Sequence, residues 1–175
     1  MPLLQETPSR ATRYPQPNSD TCFICGRSNP VGLQMTFFDN GVDEVYAEHT
    51  VPDLYQSYPG LVHGGIVTAM LDECVGRVAL IGDHHRFMVS VKLEVKFRHP
   101  VPTETPLRLV GRVVKLRGRL GKAVGELTLP GGTVAAQTAM TIADLPASIR
   151  KGASLAALGW RVDDAEGVEA CEALV

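Results

Sequence analysis

The chain has 175 residues, enough for one sizeable hydrophobic core but few for two domains. Hydrophobic residues make up 45% of it and charged residues 21%, and the formal net charge is −2, so composition gives no electrostatic reason to bind nucleic acid or an anionic membrane. No apolar run approaches the roughly 20 residues that span a bilayer, and the N-terminus lacks the features of a signal peptide. We therefore expect a cytoplasmic protein that binds neither nucleic acid nor membrane.

The N-terminal part of the chain contains an extended arm and a cysteine pair. Residues 1–21 are predicted to form the arm, because prolines are spread among polar residues. Cys22 and Cys25 follow as a Cys-x-x-Cys pair. A tight structural turn is favoured over metal binding or redox chemistry, because no second close pair completes a four-ligand zinc site. No metal site is predicted.

Two strands, one helix and four further strands are predicted in chain order. Residues 33–38 and 44–50 are expected to form a hairpin around the turn signal Asp39-Asn40-Gly41. An apolar helix is expected from about Gly64 to about Ile81. The later strands are predicted at residues 87–98, 107–116, 123–129 and 134–142, and residues 146–175 form a partly ordered tail.

The strand predicted at residues 87–98 alternates between apolar and polar side chains. Its apolar face should lie on the core, and Ser90 is expected on the opposite, polar face. The apolar set comprises Phe87, Val89, Val91, Leu93, Val95 and Phe97.

One helix and a mainly antiparallel sheet predict an α+β domain over residues 22–145, with the sheet wrapped around the helix. The helix is apolar nearly all round, so one sheet covers only part of it. We therefore expect a homodimer, possibly a homotetramer.

Asp72 interrupts the apolar stretch of the predicted helix. An ionised carboxylate in a buried helix is costly unless it is paired or used chemically, so Asp72 is a candidate catalytic group. The alternative is a structural acid bonded to Ser90 or Thr68. Glu73 beside it is expected to be solvated or to face a partner.

The start of the helix, His63-Gly64-Gly65, is the second candidate feature. Free N–H groups at a helix N-terminus can stabilise an oxyanion, and glycine lets a carbonyl approach closely. Gly65 and Asp72 lie about 10 Å apart along one helix, so a single carbonyl cannot easily touch both. Two antiparallel helices would bring the two groups together, and we hypothesise a site shared between subunits.

This order of elements, with His63-Gly64-Gly65 opening the helix and Asp72 nine positions after the histidine, resembles the hotdog-fold thioesterases, and most closely their PaaI-like branch. The segment Cys22-Phe23-Ile24-Cys25-Gly26 is similar to an N-terminal signature of that branch. The resemblance covers about residues 22–145. It implies hydrolysis of an acyl-CoA thioester between two subunits, without a cofactor, because coenzyme A is part of the substrate.

The resemblance also implies roles for individual residues. Asp72 matches the family's nucleophile or general base, Gly64 or Gly65 its backbone donor, and Ser90 its hydroxyl residue near the acid. His63 is either a general base or a local hydrogen-bonding residue.

Polar residues around these groups are candidates for binding the substrate. Where many family members carry an asparagine, this chain has Ser57 beside Gln56, and either can hold a water or the thioester carbonyl. Thr68 lies on the helix face of Asp72. The candidates for binding the coenzyme A phosphates are Arg98, His99, Arg117 and Arg119, although charges at such turns are also commonly solvated.

Three other functions stay open at this point. One is a hotdog hydratase or dehydratase acting on acyl-CoA, and a second is a non-catalytic acyl-CoA-binding protein. The third is an interaction module stabilised by zinc at Cys22 and Cys25.

Overall fold

The computed structural model describes residues 13–150, 155 and 157–163. Seven strands form one sheet in the order β1-β2-β3-β5-β6-β7-β4, and every neighbouring pair is antiparallel. This arrangement around one main helix confirms the predicted α+β architecture. The strands are β1 (Tyr14–Pro15), β2 (Phe38–Asp39), β3 (Glu44–Thr50), β4 (Met88–Phe97), β5 (Pro106–Arg117), β6 (Leu120–Thr128) and β7 (Val134–Asp144).

The central helix α1 spans Gly64–Gly76 and continues as a 3₁₀ turn over Arg77–Leu80, as the sequence predicts. Two glycines let it lie close to the sheet. A Cβ on Gly111 would be 2.9 Å from the Cys74 carbonyl oxygen, and one on Gly125 would be 2.3 Å from Val75 Cγ2. A short helix, α2, follows β7 at Ala147–Arg150. Within the described ranges, the helices are too short or too polar to cross a membrane.

The strand predicted at residues 33–38 is wrong over most of its length, because only its last residue joins the sheet, in Phe38–Asp39. Gln34 has a φ of +53°, which breaks the extended conformation. The N–H groups of Leu33 and Met35 donate to carbonyls of the Cys-x-x-Cys loop, so this segment has its hydrogen bonds outside the sheet.

The uninterrupted alternation predicted for β4 is also wrong. Its register against β7 shifts between Ser90 and Lys92, which leaves Val91 as an extra residue in a bulge. One extra residue exchanges the two faces of a strand, so Ser90 points toward α1, while Val91 is 63% exposed. Beyond the bulge, Leu93 and Val95 pack on the core as predicted.

The described residues at both ends of the chain are attached to the sheet. The buried Gln16 donates from Nε2 to Asp39, and Asn18 forms a backbone bridge with Arg161. The Trp160 ring packs on Phe87 at 5.3 Å. Residues 1–12 of the predicted arm and 164–175 of the predicted tail lie outside the described residues, and the domain boundaries stay a prediction.

Candidate active site

Asp72 and Ser90 meet between α1 and the start of β4. The Ser90 hydroxyl donates to Asp72 Oδ1 at 2.6 Å, a short hydrogen bond to a carboxylate oxygen. The β4 bulge makes this contact possible, because it turns Ser90 toward the helix. Asp72 is only half-buried in the single chain, so its carboxylate is accessible from solvent.

The first turn of α1 distinguishes Gly64 from Gly65, the two backbone donors that the sequence left as alternatives. His63 caps the helix, and its Nδ1 accepts the N–H of Gly65 at 2.9 Å. Ile66 and Val67 donate to the His63 carbonyl. Among the residues that the structure describes, the N–H of Gly64 has no acceptor. Gly64 therefore presents the free backbone donor, while His63 acts locally as a helix cap.

A cleft of about 340 Å³ opens at this helix start. Ser57 lines it, whereas the Gln56 side chain accepts the N–H of Gly60 at 3.0 Å and braces the loop. Most of the wall is apolar, and polar groups come from the loop, the helix start and the end of β4. The lining residues are Ser57, Leu61, Val62, Gly64, Val67, Phe97, Arg98, His99, Pro100 and Val101.

The four predicted phosphate-binding residues fall into two groups. Arg98 and His99 lie in the cleft. The exposed Arg117 and Arg119 lie at the β5–β6 turn, which the sheet register aligns with Val89 near the start of β4. That point is about 26 Å along β4 from its cleft end. One chain therefore does not bring the two groups together.

The remaining predicted substrate-binding residue, Thr68, is bonded within its own helix. Its hydroxyl donates to the Gly64 carbonyl at 2.8 Å. Thr68 therefore supports the first turn, next to the free N–H of Gly64.

Sequence reasoning missed the role of two side chains. Phe97 was expected in the core, but it is 56% exposed and forms a cleft wall, 3.6 Å from where a Cβ on Gly64 would lie. Glu73 was expected to be solvated or to face a partner, but it pairs with the buried Arg77 at 2.8 Å. The i, i+4 spacing of Glu73 and Arg77 was a readable signal for this pair.

Comparison with known proteins finds a family model that matches the central part of the chain. Residues 59–136 match the family model described as the thioesterase superfamily, which confirms the resemblance predicted from the sequence. The match includes the helix start, Asp72 and Ser90. No curated protein sequence matches the chain.

Solved structures share the fold at low sequence identity. A thioesterase superfamily protein is 23% identical with a TM-score of 0.63, over 70% of this chain and 60% of its own. The E. coli PaaI protein from the phenylacetic acid degradation operon is 15% identical with a TM-score of 0.58, over 65% and 81%. A hypothetical thioesterase from Streptococcus pneumoniae, solved with coenzyme A, is 17% identical with a TM-score of 0.54, over 58% and 81%. These likenesses confirm the predicted hotdog fold.

Proposed function

We propose that this chain, whose residues 59–136 belong to the thioesterase superfamily, hydrolyses acyl-CoA thioesters. The observation that carries the proposal is the half-buried Asp72 carboxylate held by Ser90 at 2.6 Å. Such a carboxylate is both oriented and accessible, as a catalytic base or nucleophile must be. The coenzyme A found with the Streptococcus pneumoniae protein of the same fold supports the choice of substrate.

The proposed chemistry uses Asp72 and the helix start in complementary roles. Asp72 either removes a proton from the attacking water or attacks the thioester carbonyl itself. The N–H of Gly64 stabilises the oxyanion that forms, assisted by the helix dipole. The carbon–sulfur bond then breaks. When water attacks, protonated Asp72 returns its proton to the leaving coenzyme A thiolate; when Asp72 attacks, the thiolate takes a proton from solvent, and a water molecule then hydrolyses the acyl–Asp72 anhydride to the free acid and Asp72. Ser90 keeps the Asp72 carboxylate in one orientation, and Ser57 is placed in the cleft to hold the carbonyl or a water.

The Asp72 carboxylate and the Gly64 N–H can act on one carbonyl only if they come from different subunits. Gly64 and Asp72 are eight residues apart on α1, a rise of about 12 Å. In the part of the sheet that the structure describes, β4 is an edge strand paired only with β7. Val91 and Phe97 on it are 63% and 56% exposed. Two β4 strands joined about a two-fold axis would cover these residues and set the two α1 helices antiparallel.

The same two-fold arrangement accounts for the two groups of cations. Antiparallel pairing of β4 places the end that carries Arg98 beside the start of the partner's β4. Within each chain, Arg117 and Arg119 lie at the end of the sheet where β4 starts. Both groups then lie at the same end of the paired β4 strands, where they can share the phosphates of one coenzyme A.

The proposal is tested by thiol release from a panel of short, medium, long and aryl acyl-CoAs. Asp72→Asn keeps the side-chain shape and an oxygen for Ser90 but removes the charge, so we expect it to lose at least about a hundredfold in kcat. Glu48→Gln, which removes an exposed carboxylate from β3, is the matched control and should keep the wild-type rate. Wild-type turnover in Asp72→Asn would refute the assignment, and acyl-CoA binding without thiol release by the wild-type chain would refute hydrolysis.

A further inference from the structure

The Cys-x-x-Cys loop lies against the second half of α1, beside Glu73. Cys22, Cys25 and Glu73 each offer one ligand atom there, and these atoms all lie within 4.8 Å of one another. Ligand atoms around one tetrahedral zinc ion lie about 3.6 to 3.8 Å apart, so these three atoms are near enough to converge on a single ion. The sequence could not show this cluster, because 48 positions separate Cys25 from Glu73.

The loop holds both sulfur atoms on one side of a compact turn. Cys22 Sγ accepts backbone N–H groups from Ile24 at 3.3 Å and from Cys25 at 3.5 Å. A Cβ on Gly26 would lie 2.3 Å from the Cys22 carbonyl oxygen, so the turn requires glycine there. Backbone donors aimed at a sulfur suit a thiolate, so these two N–H groups favour Cys22 as a metal ligand.

Glu73, the third residue of the cluster, has its side chain held by Arg77. Arg77 Nε donates to Glu73 Oε1 at 2.8 Å, and Arg77 itself is buried, with its Nη1 bonded to the Pro17 carbonyl. The second carboxylate oxygen of Glu73 has no hydrogen-bond partner among the described residues. Glu73 therefore has an oxygen to offer a cation while Arg77 fixes its orientation.

We propose that Cys22, Cys25 and Glu73 bind one zinc ion, with a water as the fourth ligand. Two thiolates and a carboxylate are ligands that zinc accepts in tetrahedral geometry. Their three negative charges exceed the ion's two positive charges by one, and the adjacent guanidinium of Arg77 balances that excess. The ion ties the N-terminal loop to α1 and takes no part in thioester hydrolysis, so this inference is independent of the proposed function.

An ion can reach this site from solvent. Cys25 is buried, but Cys22 and Glu73 are each only half-buried, which leaves one side of the cluster open. An entry path and a second group that fixes a ligand are both expected of a genuine metal site.

The test is a titration of the full-length, reduced and metal-stripped chain with Co²⁺, followed by displacement with Zn²⁺. We expect one cobalt per chain, a thiolate-to-cobalt charge-transfer band, loss of that band on adding zinc, and a higher melting temperature with zinc. Cys22→Ser and Cys25→Ser should each weaken cobalt binding by at least about a hundredfold. Cys74→Ala removes a buried thiol of α1 that lies outside the cluster, and it should bind cobalt like the wild type.

Two results would overturn the proposal. One is the absence of the charge-transfer band in a chain whose Cys22 and Cys25 thiols are demonstrably free. Another is cobalt binding that persists in both serine variants. Glu73→Gln also frees Arg77 and can disturb folding, so circular dichroism of each variant must accompany the titration. Asp72→Asn should bind cobalt normally, which separates failure of the metal site from failure of the hydrolase assignment.

Discussion

Single hydrogen bonds decide which atoms of the proposed active site are available. The His63 ring engages the N–H of Gly65, and this leaves Gly64 as the free donor. The hydroxyl of Ser90 engages one oxygen of Asp72. The chemistry proposed for this chain therefore depends on one backbone N–H and one carboxylate, each with its orientation set by a neighbour.

The role of the Gly64 N–H can be tested with proline, which replaces the donor hydrogen by a ring carbon and is compatible with the backbone at this position. Gly64 is the first helical residue, where proline is well tolerated, and the preceding His63 is extended (φ −60°, ψ 134°), as a residue before proline prefers. We expect Gly64→Pro to reduce kcat by about 10² to 10³ with the fold intact.

Gly64→Ala is the matched control for this variant, because it adds a Cβ but keeps the N–H. That Cβ would meet the Phe97 ring at 3.6 Å, an ordinary contact. We expect Gly64→Ala to lose far less activity than Gly64→Pro. Equal rates of thiol release in the two variants would exclude the Gly64 N–H as the oxyanion donor.

Among the elements, α1 is fastened at its C-terminal end by Arg77. This side chain is 3% exposed, pairs with Glu73, reaches the Pro17 carbonyl and lies over the Phe37 ring at 4.3 Å. It thus connects the helix to the N-terminal loop and to the segment before β2. A buried cation with this many contacts leaves a carboxylate and a carbonyl unpaired when it is removed.

Arg77→Met should therefore destabilise the protein by about 3 kcal/mol, measured by urea unfolding with a chelator present so that bound metal does not contribute. Arg112→Met is the control. Arg112 forms an ion pair with Glu44 at the same 2.8 Å, but its side chain is 47% exposed, so its loss should cost less than about 1 kcal/mol. Similar unfolding midpoints for the two variants would contradict the role given to Arg77.

At the scale of the whole molecule, the proposed site needs a second copy of the chain. In the described sheet, the edge strand β4 offers unpaired backbone groups and exposed apolar side chains for that contact. Gly64 and Asp72 are also separated by a rise of about 12 Å along α1, so one thioester carbonyl cannot contact both groups of the same chain. Two independent features thus favour the same two-fold dimer.

Mixed dimers test this arrangement directly. Consider a dimer of one Asp72→Asn subunit and one Gly64→Pro subunit. If each site takes Asp72 from one subunit and Gly64 from the other, one of the two sites carries both substitutions and the other site carries neither. We expect about half the wild-type rate per purified, differently tagged heterodimer, although each parent homodimer is nearly inactive. If each site lies within one chain, both sites carry a defect and the heterodimer stays inactive.

The helix, most strands and the carboxylate within the apolar stretch of α1 could be predicted because they depend on local patterns. The periodicity of α1, its cap at His63 and the lone Asp72 are all visible within about twenty residues of sequence. The strand predicted at 33–38 failed because its hydrogen bonds go to the Cys-x-x-Cys loop. Such a choice between two partners is not encoded in the alternation of a single segment.

The sequence by itself determined that this chain forms one α+β domain, with a helix that begins at a glycine pair and carries a carboxylate in its apolar stretch. Only the tertiary structure decided which face Ser90 occupies, which glycine keeps a free N–H, and that Glu73 lies beside Cys22 and Cys25. The physical reason is the distance along the sequence over which each interaction acts. Periodicity and capping act between residues a few positions apart, whereas bulge register and side-chain clusters depend on contacts between distant segments.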